Sequence, residues 1–166
     1  MEHTAHPDAP AWAAALESSA LSFFIRDSNW LYPLANLAHI YGLALVLGSI
    51  IALDLRLLGV GRRVVTAEAL SRFLTPVMMV GLALSITSGL ILFTADASAI
   101  AVNPIFRNKM ILLILGLANA WAFRRLWTQA LPGWDVRAPL GGRLQAAASM
   151  LMWLMLATAG RLIAYF

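Results

Sequence analysis

The chain has no cysteine, which excludes disulfides, thiolate metal sites and cysteine-ligated iron–sulfur clusters. Charge is scarce as well: 12% of the 166 residues are Asp, Glu, Lys or Arg, roughly half the share of a soluble domain. Histidine occurs three times, as His3, His6 and His39. No glycine-rich phosphate loop is present. Gly59-Val60-Gly61 precedes arginines at the end of an apolar run, without the strand–turn–helix setting of a dinucleotide site, so nothing here binds a flavin or nicotinamide. The amino terminus lacks the basic n-region of a secretory signal peptide. No internal repeat, low-complexity tract or second domain is visible.

What fills the chain instead is apolar: 61% of residues are hydrophobic and the mean hydropathy is +0.78. Four runs approach the length of about 20 residues that a membrane crossing needs: 31–53, 73–95, 105–124 and 144–165. The expected fold is all-α, an integral membrane four-helix bundle over residues 31–165. The net charge of +4 and pI near 10.3 do not indicate nucleic acid, because the arginines flank apolar runs rather than forming one patch. Arg56, Arg62, Arg63 and Arg72 lie between the first two runs, and Arg124, Arg125, Arg137 and Arg143 between the last two. Arg26, Arg107, Lys109 and Arg161 lie on the opposite side. This bias places both termini outside the cytoplasm. Trp30, Tyr32, Tyr165 and Phe166 then mark the outer interface, and Trp127 and Trp134 the inner one.

Residues 1–10, with Pro7 and Pro10, read as a flexible tail, and residues 11–29 as an interfacial amphipathic helix ending in the turn signal Asp27-Ser28-Asn29. Trp12, Leu16, Ala20, Phe23 and Phe24 share one face, with Glu17 and Arg26 off it. Such a helix lies flat on the outer surface; the alternative is a short helix packed on neighbouring protein. The segment 127–143, with Pro132-Gly133, Pro139 and Gly141-Gly142, reads as an irregular loop.

Within the spans, Gly81, Ser85 and Gly89 form a small-residue stripe, the pattern through which membrane helices approach closely. Ala38, Gly42, Gly116, Ala157 and Gly160 supply small residues to the other spans. His39 is the one histidine inside a span, and an intramembrane ionisable group is a functional candidate. At 1.5 Å per residue it lies about 12 Å into the first span. Counting to that depth on the other spans reaches Thr87 to Gly89, then Gly116, then Met155; two glycines and a thioether around one imidazole would give an axial ligand, room for a flat macrocycle and a methionine on its far side. The plainer alternative is a histidine hydrogen-bonded within the bundle, with Asn36 and Asn119 as candidates to meet it. No carboxylate or base is expected at mid-membrane, which counts against a proton-coupled transporter. Met78, Met79, Met150, Met152 and Met155 are either Cu(I) thioethers or flexible packing. His3, third from the terminus, suits a Cu(II) or Ni(II) site or is incidental.

His39 in the first span is followed by Asp54-Leu55-Arg56-Leu57, then by Phe73-Leu74-Thr75-Pro76-Val77-Met78 opening the second span and Phe106-Arg107-Asn108-Lys109-Met110 opening the third. This order resembles the four-helix bacterial protoporphyrinogen IX oxidase family and the related copper-resistance D membrane domain. It covers about residues 31–125; the amino-terminal helix, the long loop and the last span match poorly. The resemblance implies a bacterial inner-membrane protein in which His39 ligates haem iron and Lys109 is functionally important. The expected function is redox or electron transfer on a b-type haem or related tetrapyrrole, with a quinone or membrane redox partner as acceptor. The alternative is a non-enzymatic copper-handling module or an accessory subunit of a homo-oligomer or larger complex. The lack of a second imidazole within the spans favours that alternative.

Overall fold

The computed structural model describes residues 6–163. Seven α-helices and one 3-10 helix make up the fold, with no strand among the described residues. The α-helices are α1 (Ala11–Glu17), α2 (Ala20–Asp27), α3 (Leu31–Leu57), α4 (Ala67–Ala95), α5 (Ala97–Val102), α6 (Pro104–Trp127) and α7 (Leu140–Leu162), and the 3-10 helix is Thr128–Gly133. Three stretches are long and apolar enough to cross a membrane: α3, α4, and α6 together with the 3-10 helix. α7 has comparable length, but Arg143, Gln145 and Arg161 hold it below that hydropathy.

The helices begin where side chains satisfy otherwise orphaned amides. Thr66 accepts from the Ala69 amide at 3.2 Å at the start of α4. Asn103 accepts from Ile105 and Phe106 at 2.8 and 3.2 Å, ahead of Pro104 in the first turn of α6. α4 is helical from residue 67, well before its apolar run, because the Thr66 cap starts it there. The expected loop 127–143 is largely helical, holding the 3-10 helix and the first residues of α7. Between α3 and α4 the chain reverses through Gly59 and Gly61 at φ +111° and +69°, a backbone region that favours glycine.

Packing runs α4 on α3, α3 on α7, and α7 on α6. The α4 and α6 backbones stand further apart than these pairs. They are linked at one end by the stacked rings of Phe93 and Phe106, 5.5 Å apart, and at the other by Arg124 donating to Thr75 Oγ1 at 3.1 Å. The tightest junction is α3–α4. A Cβ on Gly42 would lie 2.7 Å from the Ser85 amide nitrogen and 2.9 Å from the Gly81 carbonyl oxygen; one on Gly81 would lie 2.9 Å from the Gly42 oxygen.

Each end of the bundle is tied by polar contacts. At one end, buried Arg56 donates to the Val65 carbonyl and pairs with Asp135, while the Trp134 indole donates to the Leu57 carbonyl at 3.0 Å. Leu57, Ala67, Leu131, Trp134 and Ala146 close an apolar cluster around them. At the amino-terminal end, Arg26 donates to the carbonyls of Ala95 and Glu17 at 2.7 and 3.0 Å, and the Glu17 carboxylate accepts from the Ser98 amide at 2.7 Å. The expected single helix over 11–29 is therefore two short helices broken at Ser18–Ser19, strapped over the α4–α5 junction. Its inward face is Ala13, Glu17, Ser22 and Ile25. The aromatic residues Trp12, Phe23 and Phe24 stay exposed.

Substituting Gly42 or Gly81 by Ala forces backbone apart from backbone, and either change should destabilise the protein in detergent by about 1–3 kcal/mol. Gly48 has nothing within 4 Å of its would-be Cβ, so Gly48→Ala should be neutral or stabilising in the same thermal-unfolding measurement.

Candidate functional site

His39 sits on the α3 face turned towards α4. Its Nδ1 lies 2.9 Å from the Ser85 carbonyl oxygen and 3.2 Å from Ser88 Oγ. A carbonyl only accepts, so Nδ1 carries the hydrogen and Nε2 presents a lone pair. The Ser85 carbonyl has a second lone pair to offer beyond its helical bond. Gly89, one turn further on, keeps that carbonyl uncovered: a Cβ there would stand 3.1 Å from His39 Cε1 and 3.4 Å from Nδ1. Ser88 donates to the Leu84 carbonyl at 2.6 Å and remains free to accept from the imidazole.

Beside the ring, a cavity of about 330 Å³ lies among α3, α4, α6 and α7, on the side where α4 and α6 stand apart. Its walls are aliphatic and aromatic, with Leu43, Leu82, Leu90, Phe93, Phe106 and Leu113 among them. The polar contributors are His39, Ser85, Lys109 and the Trp153 indole. Lys109 is half-buried; its Cε and Nζ lie 3.7 Å from a would-be Cβ on Gly160 of α7, and it forms no salt bridge among the described residues. Expected near the outer surface, it lines the cavity inside the helices. Trp12 stacks on Phe93 at 6.2 Å, extending the aromatic closure at the amino-terminal end.

His39, Gly89 and Lys109 are thus brought to one cavity. Gly116 serves another purpose: a Cβ there would meet the Trp153 indole at 3.1–3.4 Å, so the space it leaves is filled by that side chain. Met155 is half exposed and does not line the cavity. The buried stripe of α7 runs through Gly142, Ala146, Ser149, Trp153 and Leu156, and at about 100° per residue position 155 points away from it. Met110, next to Lys109, supplies the thioether in the lining. Asn36 is exposed and Asn119 lines a different cavity, so neither meets His39. Met78 lines that second cavity too, and Met79 is exposed, which spreads the thioethers across the fold. His3 lies outside the described residues. Among the described residues, no three His, Asp or Glu side chains gather as a metal site.

A profile of one protein family matches residues 12–166, nearly the whole chain. The chain belongs to DUF6644, a family of unknown function. No curated protein and no solved structure matches it.

Sequence reasoning reached His39 and Gly89 through the rarity of intramembrane histidine and the spacing of small residues. It missed Ser88 and Trp153 as partners. The signal for Ser88 was present: it lies one residue before Gly89 and three after Ser85, close to the α4 stripe that faces α3. In purified protein with ¹⁵N-labelled histidine, His39 should show the tautomer protonated on Nδ1. Gly89→Ala should displace the ring and shift both nitrogen resonances, with little change in helix content by circular dichroism.

Proposed function

We propose that this is a four-span bacterial inner-membrane protein that holds a b-type haem or related tetrapyrrole through His39 for redox or electron-transfer chemistry. The observation that carries this reading is the division of labour on the imidazole. Nδ1 is committed to Ser85 and Ser88, which orients the ring and leaves Nε2 available as a ligand, the usual second-sphere arrangement for a metal-bound histidine. The residues around it fit such a group. Apolar walls suit a macrocycle, and Lys109 supplies a cation for a carboxylate at its edge. Met110 contributes a thioether to the lining and would be available as a second iron ligand. A bound haem would supply a one-electron couple; the protein's part is to hold, orient and shield it. A quinone or a membrane partner would then serve as acceptor.

α7 supports the reading as the fourth span. It runs the length of the bundle, from Arg143 bonded to the Leu58 carbonyl at 2.9 Å to Gly160 beside Lys109. The exposed Leu21, Phe23 and Phe24 of α2, with Trp30, suit an outer membrane interface, in keeping with both ends outside the cytoplasm. The scattered thioethers give the copper reading no comparable support.

Protein purified in detergent from haem-sufficient cells should show a Soret band. His39→Ala should reduce haem occupancy at least tenfold, and Ser88→Ala should weaken haem affinity by about tenfold. Colourless protein that takes up no added haemin would overturn the proposal; if it retained copper instead, the copper-handling alternative would replace it.

A further inference from the structure

A second cavity lies towards the Arg56 end of the bundle and is unrelated to His39. It is small, about 90 Å³, and lies among α3, α4, α6, the 3-10 helix and α7. That is room for a few water-sized groups and too little for an organic cofactor. Asp54 of α3 opens onto it. The residue is only 6% exposed, and its Oδ2 atom has no hydrogen-bond partner. Ser149 of α7 lines the cavity with it. An orphaned carboxylate oxygen inside an apolar bundle is costly, and such groups are retained where something completes them.

The surroundings indicate what completes it. Ser49, Ser149, Thr75 and Asn119 line the same cavity, so the acceptors around Asp54 are oxygens, apart from the Met78 thioether. Oxygen donors select hard cations. One carboxylate neutralises one positive charge, whereas calcium and magnesium sites generally gather more acid. Among the described residues no such acidic group exists. Arg124 also lines the cavity, but its guanidinium is committed to Thr75 Oγ1 at the exposed rim. We propose that the Asp54 cavity is a binding site for a monovalent hard cation, sodium above all, held by the Asp54 carboxylate and the neighbouring Ser49, Ser149 and Asn119 oxygens.

The test is thermal unfolding of the full chain in detergent, titrated with NaCl against choline chloride at constant ionic strength. Sodium should raise the midpoint saturably, by about 3–6 °C at tenfold excess over its dissociation constant. Asp54→Asn should abolish the sodium dependence and should unfold at a higher temperature than the parent in choline chloride. Arg124→Gln removes a like charge from the rim and should lower the half-saturating sodium concentration severalfold. Ser49→Ala keeps the carboxylate and should raise that concentration severalfold, which decides the matter should Asp54→Asn fail to fold. A midpoint indifferent to sodium in the parent protein, or a sodium response that persists in Asp54→Asn, would overturn the site. So would an Arg124→Gln protein that has lost stability and sodium response together, because Arg124 would then be the counter-ion.

Discussion

The close approach of α3 to α4 is the constraint from which the rest of the arrangement follows. In lipid, apolar surface gives helices little reason to prefer each other over acyl chains, so close backbone contact and interhelical hydrogen bonds must hold the pair. Gly42 and Gly81 bring the two backbones near enough that a single added carbon on either would collide with a main-chain atom of the other helix. At that separation the His39 imidazole reaches the Ser85 carbonyl over the bare surface of Gly89. The bond contributes about 1 kcal/mol by the usual measure of interhelical bonds in membranes. Its larger effect is orientation: it fixes which nitrogen carries the proton and which way the other one faces.

That tight pair leaves slack elsewhere. α7 packs on α3 and α6 on α7, while the α6 and α4 backbones stand further apart. The gap is bridged at its ends by Phe93–Phe106 and Arg124–Thr75. Between those bridges, Trp153 is the bulky side chain that fills the interior. It is 2% exposed, is seated against Gly116, and packs with Val46, Ile50 and Leu156. It lines both cavities and so forms the partition between them.

Much of this frame was legible in the chain. The spacing of Gly81, Ser85 and Gly89 announced a close helix contact, and the isolation of His39 among apolar residues marked the centre of interest. Four long helices could be placed within a few residues. What depth counting could not supply was azimuth: Met155 and Gly116 lie at the expected level, yet one turns away and the other is filled by an indole. The amino-terminal segment differs from a single helix in its break at Ser18–Ser19. Its aromatic stripe dominates the pattern, whereas the residues that pack inward are Ala13, Glu17, Ser22 and Ile25, whose burial depends on Ser98 and Ala95 some eighty residues away. Asp54 lies just past the apolar run 31–53, near the end of α3, yet its side chain is buried. Arg56, two residues on, is held there by Asp135 and Val65.

The distribution of unsatisfied polar atoms argues where function resides. Buried polar groups are nearly always paired, so exceptions carry information. The charged groups at the two ends obey the rule: Arg56, Arg26 and Glu17 all bond across elements to close helix ends and loops. Four buried side-chain atoms among the described residues break it: Ser22 Oγ, Asp54 Oδ2, Ser85 Oγ and Trp153 Nε1. The last three belong to residues lining the two cavities. A bundle selected only for stability would replace these groups with alanine, leucine or phenylalanine at little structural cost. Those three residues line two spaces separated by one tryptophan, although Ser85 Oγ itself lies at the Gly42 contact and Trp153 Nε1 beside Gly116, so the exceptions fall beside the cavities and the close helix junctions rather than at the charged ends.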